Sequence, residues 1–546
     1  MKPSRAPGLS LFLFAGALVA SRATGALDPG RVAALPSQAV RAPTLRTEQS
    51  ITSPAPFSAS RWWSPGDGGA LAAYVTYPNT HGQLGILNTS GAVNTKGHPF
   101  FEPIGENGRA CVSCHQPANA MSLSVAAIQE RWKATQGRDP VFAPVDGMNC
   151  PDLPRGDPTS HSLLLERGLI RVFLPWPPKA ADGTVIEPEF TIEVVRDPTG
   201  CNTSARYGLN SPAPTISVYR RPRPVANTKY LTHHNFGVFA FVGKGPIATV
   251  RDPETGLPTS MNMMADARFS TLKAQAVSAA QSHLEFRGVP DEARLRGIVD
   301  FESQVFAAQA NHRVAGDLME PSGPPGLGVR NVANGRPGVL GNNTTAWVFP
   351  VGDVWKKLPP ASDSHGAERN RMRESIARGH DVYMFRTFWI RDVMHLTTVG
   401  LGNPTKRTCS TCHGMHMTGM DVANGWMDLG TTNLPWATEE PQNPWTARKP
   451  QMPLFKITCK SDVAPHAFLG RSIYTQDPGR ALITGKCHDV GSIVMQQFRG
   501  LASRAPYFAN GSAASLRELV DFYDRRFNIG FTDQERDDLI NFLSVL

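Results

Sequence analysis

Two copies of one cysteine pattern stand far apart in the chain, "CVSCH" at residues 111–115 and "CSTCH" at 409–413. With 8 Cys and 15 His among 546 residues, a shuffled chain would contain Cys-x-x-Cys-His far less than once, so two copies point to one repeated chemistry. Two thiols at this spacing can add to the two vinyl groups of one haem, and the histidine directly after them then lies beneath the iron as its proximal ligand. A four-thiolate zinc site would need both pairs brought together and would leave the two histidines without a role. A thioredoxin-type dithiol has no need of a histidine at the same place twice. The pattern therefore predicts two covalently bound c-type haems, one on Cys111 and Cys114 with His115 as ligand, the other on Cys409 and Cys412 with His413. Behind the second motif, Met415, His416, Met417 and Met420 follow too closely to cross to the opposite face of the ring. They are expected to pack against the porphyrin edge, and the sixth ligand to come from a distant element.

Covalent haem attachment in bacteria takes place outside the cytoplasmic membrane, and the N-terminus agrees with export. Lys2 and Arg5 precede an apolar run from Leu9 to Ala20 and small residues around Ala23 to Ala26, the order of a secretory signal, expected over residues 1–26. The run is too short to span a bilayer, so no stable membrane insertion is expected after cleavage, and a periplasmic location follows. An oxidising compartment lets the other four cysteines pair, and sequence neighbourhood suggests Cys150 with Cys201 and Cys459 with Cys487, although four cysteines allow three pairings. The net charge of +9 falls to 9 − 3 = +6 when Lys2, Arg5 and Arg22 leave with the signal. With the cations scattered and no long basic run, nucleic acid is not an expected partner, and weak steering toward an acidic partner is the most the charge implies.

The elements that must position these motifs are mainly helical by pattern. "STLKAQAVSAAQSH" from Ser270 and "DEARLRGIVDFESQVFAAQ" from Asp291 read as helices, the second with Leu295, Ile298, Val299 and Phe306 on one face. Near the C-terminus Ser515 and Glu518 form a capping box. Leu516, Leu519, Val520 and Tyr523 recur at helical spacing, so Tyr523 is expected on the buried face. Thr532 and Glu535 repeat the device for a last helix with Leu539, Ile540 and Leu543 inward. Alternation between about 168 and 197 predicts a small β insertion. The fold expected is mostly α, with two cytochrome c-like helical haem domains, long loops and that insertion. The expected divisions are a surface extension over 27–100, a first haem domain over 101–330 and a second over 331–546, with Gly- and Pro-rich sequence at 321–341 between them.

The segment "FRGLASRAPYFANGSAASLRELVDFYDRRFNIGFTDQERDDLINFL" (498–543) resembles the C-terminal part of bacterial dihaem cytochrome c peroxidases and the related MauG enzymes. "GRACVSCHQPANAMS", "LNSPAPT" and "DARFSTLKAQAVSAAQSHLE" resemble that family's first-half segments. The resemblance implies peroxide chemistry at haem 1 and an electron relay through haem 2, with Gln275 and Glu285 lining the distal pocket of haem 1 and Tyr523 as sixth ligand of haem 2. Met495, His466 and His488 are the alternatives to Tyr523. Hydrogen peroxide is the expected substrate, a small redox protein or quinol-linked donor the electron source, and one Ca2+ a further expected cofactor. Two departures stand out. The family's bridging tryptophan is replaced by Ala265, with Ala267 for the following glycine. No histidine occurs between His161 and His233 to close haem 1, although His161, His233 and His283 could reach it from elsewhere. A dihaem electron-transfer cytochrome and a dioxygenase resembling the dihaem rubber oxygenases are the alternatives.

Overall fold

The structure is a computed structural model in which residues 62–180, 182–232, 241–242, 245–246, 263–334, 354–394, 402–413, 426–433 and 451–546 are described. In chain order the elements that frame the site begin with strands Tyr74–Asn79 (β1) and Gly82–Asn88 (β2), helix Val125–Thr135 (α1), and strands Ile170–Pro175 (β3), Phe190–Arg196 (β4) and Thr215–Arg220 (β5). Helices Leu272–His283 (α2) and Glu292–Gln304 (α3) follow, then strands Val305–His312 (β6) and Gly316–Asp317 (β7) and the long helix Ser364–Phe385 (α4). Strands Leu454–Cys459 (β8) and Ser472–Thr475 (β9) and helices Leu516–Phe527 (α5) and Asp533–Ser544 (α6) complete the set.

This is not a mostly α protein. Helical turns make up 32% of the described residues and strands 20%, and several small sheets stand where loops and helix were expected. The hairpin β1–β2 falls inside the stretch read as a surface extension, yet it joins a four-stranded antiparallel sheet of order β7-β6-β2-β1 with Leu84 and Ile86 fully buried. The tail "VFAAQ" of the expected second helix leaves helical geometry at Val305 and becomes β6, carrying Phe306 away from the face of Leu295 and Ile298. The cause is non-local. Pairing with β2 and β7 satisfies the β6 backbone and buries both of its faces, which outweighs a weak helical preference. The expected β insertion contains β3 and β4, but they do not pair with each other. β3 pairs with β5, and β4 with β8, a strand from the second half of the chain.

Helix ends follow local rules. Thr271, Asp291, Ser515 and Thr532 each accept a backbone N–H at an N-cap, and Thr532 with Glu535 makes the full reciprocal box. Glu518 instead accepts the N–H of Ala514. Leu516, Val520, Leu539, Ile540 and Leu543 are buried as their spacing predicts. α6 crosses α4 at Gly379, where a Cβ would stand 1.9 Å from the Asp538 carbonyl oxygen. Only a residue without a side chain permits that approach, and the Asp538 carboxylate closes the crossing by accepting from Ser375 and Arg378. The pairs Cys150–Cys201 and Cys459–Cys487 form disulfides, as neighbourhood suggested. Among the described residues no helix is long and apolar enough to cross a membrane. The signal segment, His233, and Met415, His416, Met417 and Met420 lie outside the described residues.

Candidate functional site

Each Cys-x-x-Cys-His motif lines its own cavity. The first, bordered by Cys111, Cys114 and His115, encloses about 1230 Å³ of empty space with its mouth included; the second, bordered by Cys409, Cys412 and His413, about 1410 Å³. The four motif cysteines are free thiols, while the other four are paired. Burial pushes the Cys114, Cys409 and Cys412 thiols up to about 12 and Cys111 higher still, the opposite of the activated thiolate that a dithiol exchange site needs. Because the two pairs line different cavities, the four-thiolate zinc arrangement is not assembled. Among the described residues no three His, Cys, Asp or Glu side chains converge as an ion would require, so no Ca2+ site can be named among them.

In the first cavity the motif makes a single helical turn, Cys111–Ser113, and His115 is aimed by the loop that follows. Ala120 and Met121 both take left-handed backbone angles, φ 55° and 58°, and this turn brings the Met121 carbonyl to 3.1 Å from His115 Nδ1. The Arg223 backbone is a second hydrogen-bond partner of the ring, and with Nδ1 held by Met121 a metal would take the place of that partner at Nε2. Burial lowers His115 to about 4, which keeps the imidazole neutral. Helix α2 lines the same cavity with Gln275 and, at its C-terminal end, His283, whose proximity further disfavours protonation of His115. His283 Nδ1 lies 2.6 Å from Asp146 Oδ2, and the other oxygen of Asp146 is ion-paired with buried Arg109. Burial alone would raise the Asp146 carboxyl, but Arg109 and His283 outweigh it and hold it below the usual carboxylate range. Glu285 is exposed at a left-handed residue just beyond the helix and does not line the cavity. The carboxyl that does is Glu302 of α3. Its Oε2 is buried without a hydrogen-bond partner among the described residues, and burial raises it to about 8.

In the second cavity Cys409–Cys412 is a short helix, the Phe498 ring lies 4.3 Å from that of His413, and the Tyr383 hydroxyl donates to the His413 carbonyl. Tyr523 of α5 lines this cavity together with His413, and so does Met495. Tyr523 is half-buried among Phe508, Phe522 and Phe527, and burial raises its phenol. Of the other two candidates for the second iron, His466 is buried elsewhere, its Nδ1 accepting from Phe468 and Leu469, and His488 is exposed beside Asp489. His161 is buried with Nδ1 and Nε2 facing the Gly147 and Arg155 carbonyls, which leaves neither nitrogen for the first cavity.

Arg221 and Pro222 wall both cavities, and Arg504 lines the second. Arg221 donates to the carbonyls of Leu123, Arg167 and Arg504, and Arg504 to that of Gln497, with no carboxylate among their described partners. Burial and mutual repulsion lower Arg221 to about 9, and burial lowers Arg504 to about 10. Among the described residues these two buried cations meet only carbonyls, and Arg504 Nε has no hydrogen-bond partner, an arrangement suited to anionic groups. Ala265, in the first wall, packs in one small cluster with Ile493 and Ala509 of the second, and its carbonyl accepts the Val494 N–H at 2.8 Å, so the bridging position is apolar and small. Sequence reasoning missed Asp146, Glu302 and these arginines because their chain positions carry no local pattern. Compared with protein-family models, curated proteins and solved structures, the chain matches none.

Proposed function

We propose that the chain is an exported, periplasmic dihaem c-type oxidoreductase that reacts with hydrogen peroxide. The carrying observation is the division of the eight cysteines: four form two disulfides, and four stand as free protonated thiols, each pair beside a histidine in a large apolar cavity. The residues fit a haem in each cavity. Cys111 and Cys114, and Cys409 and Cys412, would hold the vinyl carbons, His115 and His413 the irons, and the uncompensated cations Arg221 and Arg504 suit the carboxylates that such a ring carries. Bound there, the haems would supply the iron and the electrons for reduction of peroxide. Gln275 offers an amide to orient a small polar substrate in the first cavity. In the second, Tyr523 would hold the iron through its phenol oxygen, which would have to lose its proton against the effect of burial and would then favour the ferric state.

A dioxygenase is the second candidate, on the specific ground that Ala265 leaves no aromatic at the bridging position. The test is expression with the leader in a bacterium that matures c-type cytochromes, followed by a pyridine haemochrome assay and turnover with peroxide or dioxygen. Two thioether-bound haems per chain and peroxide-dependent oxidation of a reduced small redox protein are expected. A protein without covalent haem, or one that consumes dioxygen and ignores peroxide, would overturn the proposal.

A further inference from the structure

We propose that His283, held by Asp146 and Arg109, is the group that takes the proton from peroxide in the first cavity, an inference that rests on peroxide chemistry at that site. Peroxide binds iron as its conjugate base, so an O–H bond must break and a neighbouring base must accept the proton. The step is balanced within the cavity. The O–H bond of H2O2 breaks with its electron pair left on oxygen as hydroperoxide, and an Nε2–H bond forms on His283.

Three features of the structure favour His283. Its ring lines the cavity on the side of α2, in the same wall as Gln275, and its Nδ1 is taken by Asp146 at 2.6 Å. The carboxylate can only accept, so Nδ1 carries a proton, and in the neutral ring Nε2 is the nitrogen left to take one. Asp146 is fully buried and ionised beside Arg109, so the imidazolium formed by proton transfer gains a counter-charge without further reorganisation. Finally, the backbone is clamped to the segment that carries the first motif. Asn107 Nδ2 donates to the His283 carbonyl at 2.9 Å, and at Gly105 a Cβ would stand 1.7 Å from the Leu284 carbonyl oxygen. The base is therefore packed against the segment that leads into the motif, and the catalytic residue is His283, with Asp146 and Arg109 as positioning residues.

Cyanide separates this role from mere support. HCN must lose its proton to bind ferric iron, whereas nitric oxide has none to lose. In the ferric dihaem protein, His283→Gln is expected to slow both HCN binding and the reaction with peroxide by about 100-fold, the usual size of a general-base effect. The nitric oxide rate and the haem spectrum should stay unchanged. Asp146→Asn is the second variant, should His283→Gln fail to fold. An amide that donates to Nδ1 forces the proton onto Nε2 and should slow HCN in the same way. Glu285→Gln, on the exposed surface, should leave every rate alone. Equal HCN rates in wild type and in whichever of the first two variants folds would overturn the role of His283 while leaving the peroxide reading intact. A wild-type protein that binds HCN with the expected His283 dependence yet ignores peroxide would retain the base and overturn that reading instead.

Discussion

Replacing Arg220 with methionine tests the ion network on which both halves of the chain converge. Arg220 ends β5, fully buried. Its Nε and Nη2 reach the two oxygens of Asp477 at 2.6 and 2.9 Å, and its Nη1 reaches Asp266 at 2.5 Å. The carboxylates hold the guanidinium above its usual value despite burial. Methionine fills similar volume but leaves two carboxylates in the interior, their side chains 0% and 2% exposed. Removing one partner of a buried pair costs about 3–5 kcal/mol. The loss should not double here, because Asp266 keeps Arg268 at 3.2 Å and Asp477 keeps the Gly479 N–H at 2.8 Å. A loss of about 4 kcal/mol is expected in urea denaturation at pH 7. The pH dependence supplies a second reading. Burial raises Asp266, but Arg268 and Arg220 outweigh it and leave the carboxyl below 3.8. In the wild type this stability is present above the unfolded value and is lost only as pH falls through the folded one, so pH 5 and pH 7 should be alike with respect to it. In the variant the orphaned carboxylates gain by protonation, and stability should rise from pH 7 to pH 5. Adding Asp477→Asn should recover part of the loss. A loss under about 1 kcal/mol, or parallel pH profiles, would refute the reasoning.

Glu302 carries the opposite sign: its carboxyl is raised from 4.5 to about 8 by burial, so the stability it contributes is full below 4.5 and is lost as pH rises through 8. At about 1.4 kcal/mol per unit the ceiling is roughly 5 kcal/mol, and Glu302→Gln should flatten the decline in urea melts between pH 5 and pH 8; an unchanged slope would show that Glu302 is not the group responsible. Replacing both Cys459 and Cys487 by serine opens a loop with a sequence separation of 28 and should cost about 3–4 kcal/mol, read as a lower denaturation midpoint. Tyr523→Phe should change the optical spectrum of the second haem, whereas a retained spectrum would transfer the ligand role to Met495 of the same cavity. Expression without residues 1–26 should give protein lacking covalent haem, checked by mass and by haem stain after denaturing electrophoresis.

What the sequence determined by itself was local. The two Cys-x-x-Cys-His motifs are visible within five residues each, and the caps Ser515 and Thr532 declare α5 and α6, because the donor and acceptor lie within one helical turn. The two disulfides were legible because the partners are near in the chain, with Cys150 and Cys201 in polar loop-like segments. The tertiary structure decided everything that depends on partners far away. Val305–His312 is a strand only because β2, more than 200 residues earlier, offers its edge, and β4 finds its partner β8 in the second half. The same holds for the site. Gln275 and Tyr523 line the two cavities, but a carboxyl at Glu285 and one at Glu302 look alike in sequence. Only packing sends Glu285 to the surface and Glu302 into the first cavity. Asp146, Arg109 and His283 come from three separate segments, and so do Arg220, Asp266 and Asp477. Charges can be buried this way only when each finds its counterpart, and that condition is met in three dimensions rather than along the chain.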